Sequence, residues 1–244
     1  MMAYNTTDAI NCMLYPTSIA IVGASPNPNK LNGRPLHFLL RDKFEGRIYP
    51  VNPRYDEIDG VKCYPDIATL PEAPDMAIVA IPAQQCRDVV AQLGRKGCPV
   101  AVIFASGFGE IGGAGSKAQD ALTTIIRESA MRVVGPNSVG LVSAPNKLVG
   151  SFVPFPKWPA GPVAIASQTG IFTGAYVDAL AAQSTQRFGF SRSICLGNKI
   201  DIDEVDFLEY ATDDAASRVI AIHLESFKRP REFLAAANLA NQDK

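Results

Sequence analysis

The 244-residue sequence has only two histidines, His37 and His223, and its few cysteines are scattered. Two histidines give no basis for a serine–histidine–acid arrangement, and Ser167 lies outside a Gly-x-Ser-x-Gly motif. The cysteines are odd in number and show neither a Cys-x-x-Cys nor a mixed Cys/His spacing, which argues against a disulfide framework or a zinc site. They are Cys12, Cys63, Cys86, Cys98 and Cys195. We therefore expect reduced thiols, no catalytic triad and no bound metal.

The chain also lacks a strong charge of either sign and lacks long apolar runs. Its net charge is -1, with 47% hydrophobic and 19% charged residues, which is typical of a globular protein. This balance gives no general reason to expect nucleic-acid binding. No stretch of about 18 residues is continuously apolar, and the first residues do not form a basic region followed by an apolar one. We expect a cytoplasmic protein with no nucleic-acid or membrane partner.

Short apolar runs alternate with helical patterns in the first part of the chain. The runs at 18–25, 47–53, 76–82, 99–107 and 132–140 are apolar on both faces, as in parallel strands covered by helices on each side. Helical patterns occupy the gaps at 34–44, 83–97 and 115–131. This order predicts a doubly wound α/β domain over residues 1–145.

A second strand and helix series is predicted over residues 146–244. A connector at 144–162, which holds five prolines and shows no helical period, leads into this series. Apolar runs follow at 162–167, 190–197 and 218–226, and a helical pattern follows at 231–240. Three strands make a thin sheet for an independent domain. We therefore expect the second domain to be incomplete at its C-terminus.

The segment "IVGASPNPNKLNGRP" (21–35) predicts a phosphate-binding loop after the first strand. Gly23 permits a tight turn, and a helix opened by Pro35 offers unpaired backbone N–H groups. Lys30 and Arg34 add positive charge. The candidate residues of this loop are Gly23, Ser25, Lys30, Gly33 and Arg34. The alternative is an ordinary tight turn with a solvated lysine.

The same segment does not match the dinucleotide fingerprint. Gly-x-Gly-x-x-Gly is absent, and the second strand ends in Asn52, Pro53 and Arg54, where an acid would bind the ribose of NAD. A ligand with an additional phosphate near its ribose would suit Arg47 or Arg54 better, although either could be a plain surface arginine.

Two further loops, "FASGFGE" (104–110) and "VGPNSVG" (134–140), end the fourth and fifth strands with small and polar residues. Small residues let a ligand pass close to the sheet edge, and an asparagine amide both donates and accepts hydrogen bonds. The residues expected to line this groove are Ser106, Gly107, Asn137 and Ser138.

In the second domain, two loops combine a strand end with a helix start. Converging helix N-termini form an anion site suited to a phosphoryl group that is carried on another molecule or segment. The candidate residues are Ser167, Gln168, Thr169, Gly170, Gly197 and Asn198.

Three titratable residues lie near these loops. His37 falls in a helical run and His223 within a strand, so we interpret both as structural. Glu225 lies near a strand's carboxyl end, where it could face a ligand or pair with Lys199, Lys228 or Arg229. The acids of 201–206 precede a helical pattern, and we interpret them as helix capping.

Matching segments over nearly the whole chain resemble the CoA-binding, α-subunit-like part of NDP-forming acyl-CoA synthetases, relatives of the succinyl-CoA synthetase α subunit. They include "IVGAS", "GRIYPVNPRYDEIDG", "SGFGE", "GPNSVG", "ASQTG", "LGNKIDIDE" and "HLESFKRPREFLAAA". The resemblance implies a Rossmann-like CoA-binding domain followed by a partial flavodoxin-like domain. The nucleotide end of CoA would lie near the Gly23–Gly33 loop with Asn52 and Pro53, and its pantetheine arm would pass the Ser106 and Asn137 loops.

The chemistry implied by the resemblance converts an acid, CoA and a nucleoside triphosphate to acyl-CoA, nucleoside diphosphate and phosphate. It proceeds through an acyl phosphate and a phosphohistidine. The Ser167–Gly170 loop would hold the phosphate, and Glu225 would steady the histidine as the catalytic carboxylate. That histidine normally follows one further strand in a Ser-His-Thr-Gly loop, which this chain lacks. Ser138 and Ser226 replace a common cysteine and a common glycine.

The ATP-grasp module is also absent, so ATP or another nucleoside triphosphate with Mg²⁺ is not expected to bind this chain. Its partners would be CoA, an ATP-grasp domain or subunit and the remaining C-terminal segment, in a homo- or hetero-oligomer. Alone, it should bind CoA without turnover.

The alternative is a stand-alone CoA-binding regulatory module. The missing acid at the end of the second strand, which would bind the ribose of the cofactor, argues against a third alternative, an NAD(P)-dependent oxidoreductase.

Overall fold

A computed structural model describes residues 4–154, 160–170 and 189–243. The first sheet is fully parallel and has the order β2-β1-β5-β6-β7. Its strands are β1 (Ser18–Val22), β2 (Arg47–Val51), β5 (Met76–Val79), β6 (Val100–Ile103) and β7 (Arg132–Val134). A separate hairpin joins β3 (Glu57–Ile58) to β4 (Val61–Lys62). The order reverses at β1, so this sheet is doubly wound as expected.

Helices cover both faces of this sheet because its strands bury residues on both sides. The helices are α1 (Thr6–Leu14), α2 (Arg34–Arg41), α3 (Ala83–Lys96) and α4 (Ala114–Glu128), and a short 3-10 helix spans Gly109–Ile111. Ile19 and Ile21 pack on one face in the same cluster as α1 and α2 residues. Ala20 and Val22 pack on the other, with residues of α3 and α4. This alternation is the two-residue period of a strand.

The second sheet has five strands in the described residues, in the order β12-β10-β11-β8-β9. They are β8 (Gly140–Ser143), β9 (Leu148–Ser151), β10 (Ala160–Ser167), β11 (Phe190–Cys195) and β12 (Val219–His223). The three strands expected here are parallel. The hairpin of β8 and β9 was not expected, and β8 pairs antiparallel with β11. The connector interpretation of 144–162 was therefore wrong for β9, because two apolar runs flank a short 3-10 turn at Ala144–Asn146 and pair with each other.

The hairpin joins the two sheets into one packed body. Leu141 and Leu148 lie in the same core cluster as Ile19 of the first sheet and Ile194 of β11. Two further helices, α5 (Glu204–Asp213) and α6 (Pro230–Asp243), follow β11 and β12. Asp203 caps α5 and forms a reciprocal capping box with Asp206, as the acids of 201–206 predicted. The helix expected after Gly170 lies outside the described residues.

No helix in the described ranges combines the length and apolar composition needed to span a bilayer. Over the same ranges, no group of three histidine, cysteine or acidic residues could hold a metal ion.

Candidate functional site

Gly23 turns the chain at the carboxyl end of β1, and only glycine fits there. Its φ is +90°, and a Cβ atom would lie 2.6 Å from both the carbonyl oxygen of Ala80 and Cγ2 of Ile81. The Gly23 N–H donates to the Val51 carbonyl at 2.9 Å, and its own carbonyl accepts from the Asn32 amide at 2.6 Å. The loop therefore keeps its backbone against the ends of β2 and β5.

The rest of this loop uses its polar groups internally. The hydroxyl of buried Ser25 accepts from the Asn27 N–H at 3.2 Å. A Cβ on Gly33 would lie 2.0 Å from the Asn27 carbonyl oxygen. The Lys30 carbonyl accepts from the N–H groups of Gly33 and Arg34, and the Lys30 side chain is exposed.

Arg34 contacts the hairpin of the second sheet. Its Nη1 donates to the Phe152 carbonyl at 3.0 Å, so the guanidinium helps to join the two sheets. Asn52 donates from its side chain to the Ala24 carbonyl at 2.8 Å and accepts from the Arg54 N–H at 3.0 Å. Both polar side chains stabilise the loop that the sequence assigned to ligand binding.

A cavity of about 560 Å³ lies at the carboxyl ends of β1, β2 and β5. It is lined by Gly23, Asn52, Pro53 and Arg54, with Gln85 and Gln92 from α3 among its other lining residues. Ser25, Lys30, Gly33 and Arg34 are not among the lining residues. Of the two arginines left open, Arg54 faces this cavity, whereas Arg47 pairs with Glu72 at 2.7 Å at the start of β2.

A second cavity of about 300 Å³ continues along the sheet edge toward β6. It shares Asn32, Ile81 and Pro82 with the first cavity and reaches Ser106 at its far end. Gly107 follows with φ +100°. A groove along this edge therefore runs from Gly23 to Ser106. Of the four residues expected to line a groove between the 104–110 and 134–140 loops, only Ser106 is among the described lining residues of these two cavities.

Asn137 and Ser138 have different surroundings, although they are adjacent. Asn137 is exposed, with φ +59°. Ser138 is 1% exposed, its hydroxyl donates to the Cys195 carbonyl at 2.6 Å, and it accepts from the Gly140 N–H at 3.0 Å. The Ser138 hydroxyl therefore joins β11 to the start of β8, and the assignment of Ser138 to CoA binding stays a prediction.

A third cavity, of about 990 Å³, lies where the strand ends of the two sheets face each other. It collects Asn137, Gln168, Thr169, Gly170, Gly197, Asn198 and Glu225 from the candidate list. It also contains Glu110, Gln119 and Asp120, which sequence reasoning did not select. No lysine, arginine or histidine is among its described lining residues.

The Ser167–Gly170 loop is built largely on internal hydrogen bonds. The Ser167 hydroxyl is buried and donates to the Thr169 carbonyl at 2.8 Å. The Gln168 side-chain oxygen accepts from the N–H groups of Glu225 and Ser226 at 3.0 and 3.1 Å. The Ser167 hydroxyl and the Gln168 amide thus shape this site, while Thr169 and Gly170 also line the cavity.

The Glu225 carboxylate is exposed and borders the third cavity. Two of its three suggested partners pair elsewhere: Lys199 pairs with Glu204 at 2.8 Å, and Arg229 pairs with Asp203 and Asp206 at 2.6 Å. Within the described ranges, Glu225 forms no ion pair with these two cations or with Lys228. This arrangement favours the ligand-facing alternative.

The two histidines are not part of this cavity lining. His37 is exposed on α2 and contacts the Phe38 ring. His223 ends β12 half-buried, and its carbonyl accepts from the Gln168 N–H at 2.9 Å.

Gly197 and Asn198 bring the second sheet against the first. Gly197 has φ +58°, and a Cβ there would lie 2.2 Å from the Pro136 carbonyl oxygen. The Asn198 side-chain amide donates to Glu110 Oε2 at 2.6 Å and to Gln119 Oε1 at 2.9 Å. Partial burial opposes ionisation of Glu110, but the hydrogen bonds from Asn198 and from backbone N–H groups outweigh it and lower its pKa.

Comparison with known proteins identifies both parts of the chain. Residues 17–144 match the CoA binding domain family, and residues 160–244 match the succinyl-CoA ligase like flavodoxin domain. The chain is 36% identical to acetate-CoA ligase (ADP-forming) II of Archaeoglobus fulgidus over 94% of its length. It is 35% identical to the α subunit of acetate-CoA ligase (ADP-forming) I of Pyrococcus furiosus over 97%.

A solved structure has the same fold. The apo form of the dinucleotide forming acetyl-coenzyme A synthetase 1 of Ca. Korarchaeum cryptofilum superposes with a TM-score of 0.90 at 34% identity, covering 96% of this chain and 50% of that one. The chain spans 34% and 51% of the lengths of the two curated relatives. It belongs to the CoA binding domain family, and the resemblance and fold class inferred from its sequence are confirmed.

Proposed function

We propose that the chain is the CoA-binding portion of an NDP-forming acyl-CoA synthetase, an acid-thiol ligase. The complete enzyme would convert an acid, CoA and a nucleoside triphosphate to acyl-CoA, nucleoside diphosphate and phosphate. One observation carries the proposal: three cavities follow one another along the strand ends, from Gly23 and Asn52, past Ser106, to Glu225. A long ligand with a phosphorylated end and a reactive end suits this succession.

In this proposal, the nucleotide end of CoA binds in the first cavity, which is lined by Gly23, Asn52 and Arg54. Arg54 supplies the positive charge, and the backbone at Gly23 allows close approach. Arg34 instead donates to Phe152. Lys30 is exposed at the edge of the same loop, from which a long side chain reaches a ligand lying outside the cavity. The pantetheine arm then follows the second cavity to Ser106 and Asn137.

The third cavity receives a histidine from another part of the complete enzyme. The acidic side chains Glu110, Asp120 and Glu225 line it, and no cationic side chain is among its described lining residues. A carboxylate in such a place is stabilised by an approaching N–H donor. We assign Glu225 to hold the imidazole through one ring nitrogen, while the 167–170 and 197–198 loops surround the phosphoryl group.

Other domains or subunits would complete the enzyme. They would hold the nucleoside triphosphate and Mg²⁺, and would supply the histidine. A surface for them is available at β12, which is the edge of its sheet in the described residues. Val219 on that strand is 53% exposed, and Leu234 and Leu239 of α6 are 64% and 60% exposed. We place the assembly in the cytoplasm.

Calorimetric titration of the chain with CoA, dephospho-CoA and NAD tests the proposal. We expect CoA to bind, and to bind more tightly than dephospho-CoA, since the 3'-phosphate gains a charge-assisted hydrogen bond. Lys30→Ala and Arg54→Ala should each weaken CoA binding by about 1–3 kcal/mol. Binding of NAD but not CoA would refute the proposal, and unchanged affinity in both variants would remove these cations from the site.

A further inference from the structure

Glu110 lies on the loop that separates the second cavity from the third. Ser106 lines the second cavity, and Gly109 and Glu110 line the third. A ligand that extends from the nucleotide cavity to Glu225 must therefore cross this loop. The conformation of residues 106–110 sets the shape of that crossing.

The Glu110 carboxylate collects hydrogen bonds from both sheets. It accepts from the backbone N–H groups of Gly107 and Phe108 within its own loop, and from the Asn198 side chain of the second sheet at 2.6 Å. Gln119 reinforces the arrangement, since its Oε1 accepts from the Gly109 N–H at 3.1 Å and from Asn198 at 2.9 Å.

The loop needs such a support because glycines give its backbone wide conformational freedom. Gly107, within the loop, has a φ of +100°, and Gly112 and Gly113, which follow the loop, have φ values of +67° and +51°. Glycine-rich backbone loses much conformational entropy on ordering, so external hydrogen bonds must fix it. The carboxylate supplies these bonds in charge-assisted form, which is about twice as strong as the neutral form.

We propose that Glu110 is a positioning residue that holds the 106–110 loop in the shape required by the pantetheine arm and joins that loop to Asn198 of the second sheet. The inference rests on the proposed CoA-binding function. It assigns Glu110 no contact with the nucleotide end, which lies in the first cavity. Loss of Glu110 should therefore affect CoA and its nucleotide fragment differently.

Glu110→Gln tests this difference in the full chain. The substitution keeps the size of the side chain, but its amide nitrogen must face either the loop N–H groups or the Asn198 amide, which places donor against donor. Calorimetry would compare CoA with 3'-phosphoadenosine 5'-diphosphate, the CoA fragment without pantetheine. We expect CoA to bind about tenfold more weakly and the fragment to stay within about twofold.

Two further variants separate positioning from general damage. Asn198→Asp should reproduce the selective loss. The double variant Glu110→Gln/Asn198→Asp should restore part of the CoA affinity, because the amide introduced at position 110 can donate to the carboxylate introduced at position 198, while the hydrogen bond from position 198 to Gln119 Oε1 stays lost. Glu128→Gln, which removes an exposed acid at the end of α4, should bind both ligands normally. Equal weakening of both ligands, or unchanged CoA affinity in Glu110→Gln, would overturn the inference. Failure of the unmodified chain to bind either ligand would instead refute the proposed function, and the inference with it.

Discussion

Lys199 and Glu204 form an ion pair with no solvent exposure of either side chain, and its removal should be costly. The Lys199 Nζ lies 2.8 Å from Glu204 Oε2. The ammonium also donates to the Ser226 carbonyl at 2.6 Å, and Glu204 Oε1 accepts from the Lys228 N–H at 2.6 Å. The pair therefore connects the start of α5 to the turn that carries Glu225.

Lys199→Met removes the ammonium and keeps an unbranched stem of similar length. The φ of Lys199 is +51°, and the backbone strain is the same for both residues. Glu204 would keep one backbone donor but lose its counter-charge. Breaking a buried pair by removing one partner costs about 3–5 kcal/mol, and a lost hydrogen bond about 1 kcal/mol. Because Lys228 still satisfies one oxygen of Glu204, we expect a loss of about 4 kcal/mol in the free energy of unfolding.

Urea unfolding followed by far-ultraviolet circular dichroism measures this loss. Lys147→Met is the matched control, since its pair with Glu45 has a length of 2.6 Å but side-chain exposures of 56% and 82%. Solvent screens that exposed pair, so its removal should change the free energy of unfolding much less. Adding Glu204→Gln to Lys199→Met should recover about 2 kcal/mol, because the remaining amide is neutral. If Lys199→Met costs no more than Lys147→Met, burial does not control the strength of this pair and the reasoning is wrong.

Three smaller predictions concern the glycine, serine and cysteine residues. Gly23→Ala should weaken CoA binding at least tenfold. The control is Gly60→Ala, where φ is +79° and nothing lies within 4 Å of an added Cβ; it should cost only about 1–2 kcal/mol of stability and leave CoA affinity unchanged. Equal CoA affinities of the two variants would refute the role of Gly23. Ser138→Ala should lower the free energy of unfolding by about 1–3 kcal/mol, measured by thermal or urea unfolding, and should change CoA affinity by no more than about twofold. A large loss of CoA affinity would instead show that Ser138 contacts the ligand. Burial raises the pKa of Cys86 and Cys98 to about 12. Iodoacetamide at about pH 8 should therefore alkylate neither thiol in the folded chain and both in urea, as measured by mass spectrometry. Rapid labelling of these thiols in the folded chain would contradict their burial.

The parallel core of both sheets could be predicted from sequence because strand burial is visible in the residues themselves. A strand such as Ser18–Val22 must be apolar on both faces when helices cover it on each side. The β8 and β9 hairpin was harder to predict. Its strands have only four residues each, and β8 is fixed by pairing with β11 about 50 residues later in the chain. The domain boundary after residue 145 stays a prediction, and β8 already belongs to the second sheet.

The positions of the functional loops were easier to predict than the orientations of their side chains. Gly23, Gly107 and Gly197 all have the positive φ that a strand-end turn requires. The sequence did not reveal that the Ser138 hydroxyl donates to the Cys195 carbonyl, or that the Asn198 amide donates to Glu110 and Gln119. Buried backbone groups at such turns need hydrogen bonds, and the nearest hydroxyl or amide supplies them. A serine that binds a ligand and a serine that closes a turn have the same appearance in a sequence.

The contacts around Glu225 explain how one carboxylate can remain available in a site built from internal hydrogen bonds. Gln168 accepts from the N–H groups of Glu225 and Ser226, and Lys199 donates to the Ser226 carbonyl. The turn is thus fixed through its backbone, while Lys199 and Arg229 are neutralised by the acids of α5 and its cap. A charge held in this way needs little reorganisation when a hydrogen-bond donor arrives. In the proposed role, Glu225 would accept a hydrogen bond from an imidazole without rearranging its turn, because the neighbouring ion pairs and backbone hydrogen bonds already hold that turn.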